Sequence, residues 1–241
     1  MYHHISARTL TALVALCLCA SQASAYSVVA VSNGGSITGT ITASSQQDET
    51  KAVSKDNAYC GDSLAAEKFI IGADGALKNA VVMLEEIAEG KDFESKDELT
   101  VTNKGCHFVP HVMVAPMGGM MKVRNDDPLL HNSHFFLVAG ERKRNVINLA
   151  LPKEGLEISK AKILRKAGLL SLECDAHDFM QAWVWVMEHP YAVVTAADGS
   201  FELTDVPAGS YKLTVWHEGL GEQTVDVTVE AGKATATDLS F

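Results

Sequence analysis

Apolar positions along the chain recur mostly with a period of two, interrupted by glycine, proline and short polar runs, a pattern that predicts strands. Ser36-Ile37-Thr38-Gly39-Thr40-Ile41-Thr42 alternates as a strand does, inside a small and β-branched stretch over 27–44. The polar run 46–62 reads as a loop. Residues 68–71, the turn Asp74-Gly75 and residues 80–84 read as a strand pair, and the charged stretch from Ile87 to Lys96 as a connection or short helix. Alternation returns near Glu98. Phe108 to Ala115 reads as one strand, Gly118-Gly119 as a hairpin turn, Met121 to Arg124 as the returning strand and Asn125-Asp126-Asp127-Pro128 as its end. Further strands are predicted at 135–138, 146–151, 169–174 and 182–187, with a loop or short helix over 152–166. Beyond His189-Pro190, turns at Asp198-Gly199, 206–209 and Glu230-Ala231-Gly232 separate strands at 200–204, 210–217, 222–229 and 233–240.

This is an all-β pattern of the sandwich or barrel kind, with no alternation of strands and helices. The last four strands span only about fifty residues and need a partner sheet, which the N-terminal strands can supply. The expected organisation is a leader over 1–25, an N-terminal β segment over 26–97 able to pair with 189–241, a central sandwich over 98–188 and a small β domain over 189–241.

The leader is predicted from Arg8, the apolar run Leu10 to Ala20 and the small-residue signal Ala23-Ser24-Ala25, with cleavage after Ala25. That run is too short to span a membrane, and no later stretch is long enough, so a periplasmic or secreted chain is expected. The net charge of −10 becomes −11 once Arg8 leaves, 19 basic against 30 acidic residues. Such a balance argues against nucleic acid and suits a basic partner protein. Cys17 and Cys19 leave with the leader, and Cys60, Cys106 and Cys174 remain, an odd number for an oxidising compartment. Pairing Cys60 with Cys106 closes a loop worth about 4 kcal/mol in the chain-entropy picture and leaves Cys174 as the free thiol.

Cys174 opens the stretch Cys174-Asp175-Ala176-His177-Asp178-Phe179-Met180, which sets a thiolate, an imidazole and a thioether on one turn between two strands. Leu170, Leu172 and Cys174 share a strand face, so the thiol points with the core leucines. A fourth ligand is expected from Asp127-Pro128-Leu129-Leu130-His131-Asn132-Ser133-His134-Phe135, with His131 first and His134, on the opposite strand face, second. One Cys, two His and a weak axial Met form the ligand set of a blue-copper site. Asn132 and Asp175 each follow a ligand and are expected to tie the two ligand loops together by backbone hydrogen bonds. The competing reading makes Cys174 a buried structural thiol and the histidines surface residues.

Other chemistry-bearing residues have plainer readings. His107 and His111, four apart on one predicted strand face, read as a solvated or hydrogen-bonded pair before they read as a second metal site. Met113, Met117, Met120 and Met121 read as core and apolar lip. Trp183 and Trp185 read as packing, and Arg142-Lys143-Arg144 as a solvated loop. No hydrolase, zinc-protease or phosphate-loop motif occurs, so an enzyme is not expected.

The two ligand stretches together resemble the cupredoxins, most closely the short amicyanin-type loop. Cys174, His177 and Met180 match that loop, Phe179 its aromatic residue, His131-Asn132 and His134-Phe135 the stretch around the amino-terminal histidine, and Lys166-Ala167-Gly168 the approach to the cysteine. The resemblance covers about 98–187 and implies a Greek-key sandwich holding copper. Where the amicyanin loop has proline, this chain has Asp178, beside the ligand that is usually exposed to electron-transfer partners. Asp198-Gly199-Ser200-Phe201 through Val206-Pro207-Ala208-Gly209-Ser210-Tyr211 is similar to carboxypeptidase regulatory-like domains, in which Gly39-Thr40-Ile41 and Ala80-Val81-Val82 would be the first two strands and the copper domain an insertion. Bacterial exported proteins that join these two modules look similar. The resemblance implies a one-electron carrier with a redox partner protein; the alternatives are a copper chaperone or store and a structural or carbohydrate-contacting β-sandwich.

Overall fold

The computed structural model describes residues 25–95 and 98–241, so the predicted leader, Ala25 apart, lies outside the described residues. The described chain is built of strands, with two 3-10 turns and one four-residue helix, Asn57–Cys60. No helix among the described residues is long and apolar enough to cross a membrane.

Two sandwiches form, each around its own core. In the first, a five-stranded sheet in the order Arg142–Leu151, His131–Ala139, Gly168–Cys174, His177–Met187, Val112–Pro116 faces a four-stranded sheet in the order Glu157–Lys160, Met121–Asn125, Leu99–Lys104, His107–Val109. Strict alternation in His131–Ala139 turns His131, Ser133, Phe135 and Leu137 inward. Phe135 and Leu137 share a core with Val101, Phe108, Met121 and Val123 of the facing sheet and Leu170, Leu172 and Cys174 of the neighbouring strand.

The second sandwich draws on both ends of the chain. Gly35–Thr42 lies antiparallel to Ser200–Val206 and parallel to Ala234–Ala236 and Leu239–Ser240. Val81–Glu85 lies between Ala192–Val194 and Gly209–His217, which pairs in turn with Gly221–Val229. Ile37, Ile41, Leu84, Tyr191, Leu213 and Val215 form its core.

A third cluster joins the two. Trp183 and Trp185, on the outer face of the five-stranded sheet, meet Trp216 edge-on at centroid distances of 5.6 and 5.9 Å, beside Val81, Met83 and Met187. Edge-to-face rings of this size favour a defined docking. Trp183 Nε1–H donates to Glu218 at 2.9 Å, and the same carboxylate faces His111.

Several local expectations are corrected. Phe108 to Ala115 is two strands in two sheets, His107–Val109 and Val112–Pro116, parted at Pro110, which has no N–H for a ladder. His107 and His111 therefore do not share a strand face; His107 reaches the Gly105 and Ala65 carbonyls, and His111 is buried against Glu218. Gly118-Gly119 joins different sheets and closes no hairpin. Lys68 to Ile71 forms no strand, because the Asp48 carboxylate takes the successive N–H groups of Glu67, Lys68 and Phe69 at 2.9–3.0 Å. Arg142-Lys143-Arg144 begins a strand, with its side chains exposed. The polar run 46–62 is structured as well: Thr50–Ala52 pairs antiparallel with Ser63–Ala65, and Asn57–Cys60 turns between them.

Candidate metal centre

The ligand turn is shaped by a register break. Gly168–Cys174 and His177–Met187 pair regularly from Gly168↔Val186 to Glu173↔Gln181, and then Cys174 pairs with His177. The bulge that this leaves over 178–180 brings Cys174 and His177 to the same side, and both are buried. His131 opens the adjacent strand, whose His134 pairs with Glu173, so its imidazole enters beside the turn.

Three donor atoms converge there. His177 Nδ1 lies 3.1 Å from His131 Nδ1 and 3.6 Å from Cys174 Sγ, and His131 Nδ1 lies 3.9 Å from that sulfur. Among the described residues this is the one group of its kind, with all three side chains buried. Donors around a shared ion with bonds of about 2.0–2.3 Å span triangles of this size.

The opposite ring edges fix which nitrogen faces inward. His131 Nε2 lies 2.9 Å from an Asp127 oxygen, and His177 Nε2 lies 2.9 Å from an Asp56 oxygen. A carboxylate only accepts, so each Nε2 carries the hydrogen, and the neutral tautomer compatible with that offers its Nδ1 lone pair toward the other ring and the sulfur. Two lone pairs at 3.1 Å beside a thiol repel unless a proton or cation lies between them. The donor set therefore fits a metal ion, and carboxylate–histidine pairs are the usual means of orienting such ligands.

The two carboxylates are held differently. Asp127 is fully buried and also accepts from Gly105 N–H at 2.7 Å, Cys106 N–H at 2.9 Å and Tyr59 hydroxyl at 2.9 Å. Burial would raise its pKa, but the Cys106 and Gly105 N–H groups, the Tyr59 hydroxyl and His131 together outweigh it and hold the carboxyl below its ordinary value. Asp56 stands on the segment between Thr50–Ala52 and Ser63–Ala65, its side chain one-third exposed, with backbone φ 58° and ψ 33° in the left-handed region. Cys60 of that segment is disulfide-bonded to Cys106.

Electrostatics suit ligation by neutral rings. Burial, helped by the neighbouring His177, lowers the pKa of His131 against the pull of Asp127. Burial raises the Cys174 thiol, while the N–H groups of Asn132, Ala176 and His177 oppose it. A nearby cation would reverse that balance and leave the thiolate.

The structure thus brings His131, Cys174 and His177 together, and buries Met180 in the same core as Cys174. Asn132 N–H reaches Cys174 Sγ at 3.3 Å, a backbone tie between the two ligand stretches. Asp175 works through its carboxylate, which meets His134 Nδ1 at 2.9 Å and Asn148. His134 accordingly lies outside the cluster. His177 departs from what the resemblance implies for this ligand, since it is fully buried behind Asp56. Sequence reasoning missed both carboxylates. Asp127 carried a faint signal, an acid four residues before a ligand histidine; Asp56, 121 residues from His177, carried none.

A family model of the carboxypeptidase regulatory-like domain matches residues 181–241, and no curated protein matches the chain. Among solved structures, the chain is similar to a Cu-containing nitrite reductase from Thermus scotoductus at 21% identity and TM-score 0.31, over 37% of this chain and 22% of that one, about a fifth of its length. It is similar to a purple cupredoxin from Nitrosopumilus maritimus at 18% identity and TM-score 0.31, over 36% of this chain and 98% of that one. It is also similar to amicyanin from Paracoccus versutus at 16% identity and TM-score 0.31, over 37% of this chain and 81% of that one. Residues 181–241 are thus similar to the carboxypeptidase regulatory-like domain, and a little over a third of the chain is similar to cupredoxins.

Proposed function

We propose that the chain is an exported type 1 copper protein that carries single electrons for a partner redox protein. The convergence of His131 Nδ1, Cys174 Sγ and His177 Nδ1, with both Nε2 atoms committed to carboxylates, is the observation that carries this reading. One thiolate and two imidazoles, with the Met180 thioether on the same turn, suit copper better than the harder divalent ions. Bound copper would supply the one-electron step between Cu(I) and Cu(II). The chain's own residues do the remainder: Asp127 and Asp56 hold the rings, Asn132 N–H stabilises charge on the sulfur, and burial keeps water out.

Burial of the donor group, with Cys174 3% exposed and both histidines 0%, supports passing electrons over contact with a substrate. The Cys60–Cys106 disulfide suits an oxidising compartment, and the net charge of −10 suits a basic partner. The test is to titrate Cu(II) into the chain and into Cys174→Ser and record visible spectra. An intense thiolate-to-copper band in the first alone, with reversible cycling and no metal loss, is the expected result. A colourless chain that binds Cu(I) and yields it to a chelator would make it a copper chaperone or store, and no binding would leave a structural β-sandwich protein.

A further inference from the structure

We propose that the segment running from Thr50 to Ala65 is a working part of the metal centre, a cap in which Asp56 is the positioning residue for His177 and the closure that keeps solutes from Cys174. The role assigned to Asp56 rests on the metal reading given above.

The cap is docked, not draped. Val53 and Cys60 are buried in the first core, Leu64 packs against it, and the disulfide ties Cys60 to Cys106. Cys106 in turn gives its N–H to Asp127, the carboxylate on His131. The cap thereby touches the supports of both rings: Asp56 directly on His177, and Tyr59 through its hydroxyl on Asp127. Ser54 adds a tether, donating to Asp178 at 3.0 Å beside the ligand turn.

Asp56 pays a local backbone cost for its place. A non-glycine residue at φ 58° carries a backbone cost, though a small one for Asp, and Asp56 is one of eight such positions among the described residues. Two cap side chains stand at the outer edges of the ring supports, Tyr59 on Asp127 and Asp56 on His177. Tyr59 is 46% exposed and Asp56 one-third exposed, while His131 and His177 are sealed. On this proposal, ligand exchange, thiol modification and close approach of a partner to His177 require the cap to move or to be crossed.

Cys174 is the one free cysteine among the described residues and reports on closure without any metal. The experiment is iodoacetamide labelling of the metal-free full chain, with modification at Cys174 read by peptide mass spectrometry and each variant's global unfolding constant measured alongside. Asp56→Ala and the double variant Cys60→Ser/Cys106→Ser should label about tenfold faster than the wild type, the change expected when a charged hydrogen bond or an anchor no longer opposes local opening. Asp56→Asn still offers an oxygen to the Nε2–H of His177 and should return to near the wild-type rate. Equal rates in all four proteins, no rescue by Asn, or increases that merely follow the global unfolding constants would overturn the proposal. With copper added, Asp56→Ala should also lose Cu(I) to bicinchoninate faster than the wild type. A missing thiolate-to-copper band in the wild type would sink the metal reading alone, since labelling still decides whether the cap closes the site.

Discussion

His131 and His177 present the same nitrogen to the same point, yet their supports are of two kinds. Asp127 is built into the sandwich, four residues before His131, fully buried and saturated by four donors. Asp56 arrives from a segment outside both sheets of the sandwich, one-third exposed, and His177 Nε2 is its one side-chain partner among the described residues. The first support is part of the fold's own polar core, where each Asp127 oxygen accepts two hydrogen bonds. The second is an addition whose strength depends on what anchors the cap. Ligand geometry alone would not separate the two, because both Nε2 contacts measure 2.9 Å. The separation lies in what each carboxylate does besides holding a ring.

The sharpest way to break the comparison is to remove Asp127. Asp127→Ala leaves the Gly105 and Cys106 N–H groups, the Tyr59 hydroxyl and the His131 ring without their acceptor, and should cost about 3–5 kcal/mol of stability in the metal-free protein, as breaking buried charged networks does. Urea denaturation of the metal-free protein measures it. A loss under about 1 kcal/mol, the range of an exposed pair, would mean that Asp127 is no better integrated than Asp56.

Another buried histidine, His189, differs from both in lacking a carboxylate partner among the described residues. His189 takes the Tyr191 N–H on Nδ1 at 3.3 Å, and burial pushes its pKa down to about 4. The folded state therefore resists the proton that the unfolded chain accepts near 6.5, so stability is whole above pH 6.5 and falls as pH drops through the window from 6.5 to 4. Between pH 7 and 4.5 this group should cost about 2–3 kcal/mol. Denaturation of the wild type and His189→Asn at both pH values tests it. The variant should lose less on acidification, and an identical loss in both would show that His189 is not the titrating group.

How much of this was legible follows the same division. The all-β pattern, the inward face of Leu170, Leu172 and Cys174 and the gathering of three donor side chains on two short stretches follow from period-two alternation and spacing, which act over a few residues. The break at Pro110 was legible too, since a residue without an N–H stands in the middle of the presumed strand. Asp56 was not. A polar run signals solvent on average, and among the contacts that order this one are two to residues 46 and 121 positions away, the disulfide to Cys106 and the bond to His177. Lys68 to Ile71 failed for a related reason, because a distant-looking acid, Asp48, took the N–H groups that a ladder would have used.

The smallest effect distinguishes the cap's anchors from its fastenings. Ser54 Oγ donates to Asp178 at 3.0 Å in an exposed pair, whereas Val53, Cys60 and Leu64 hold the cap through apolar burial and a covalent bond. An exposed hydrogen bond exchanges readily with water and contributes at most about 1 kcal/mol. Ser54→Ala should therefore lower stability by under about 1 kcal/mol and leave the labelling of Cys174 within about twofold of the wild type. If the cap instead opened as far in Ser54→Ala as in Asp56→Ala, the weak outer tether would be as important as the ring contact. Closure would then be a property of the cap's rim, and His177 would owe its orientation to the bulge after Cys174 instead of to Asp56.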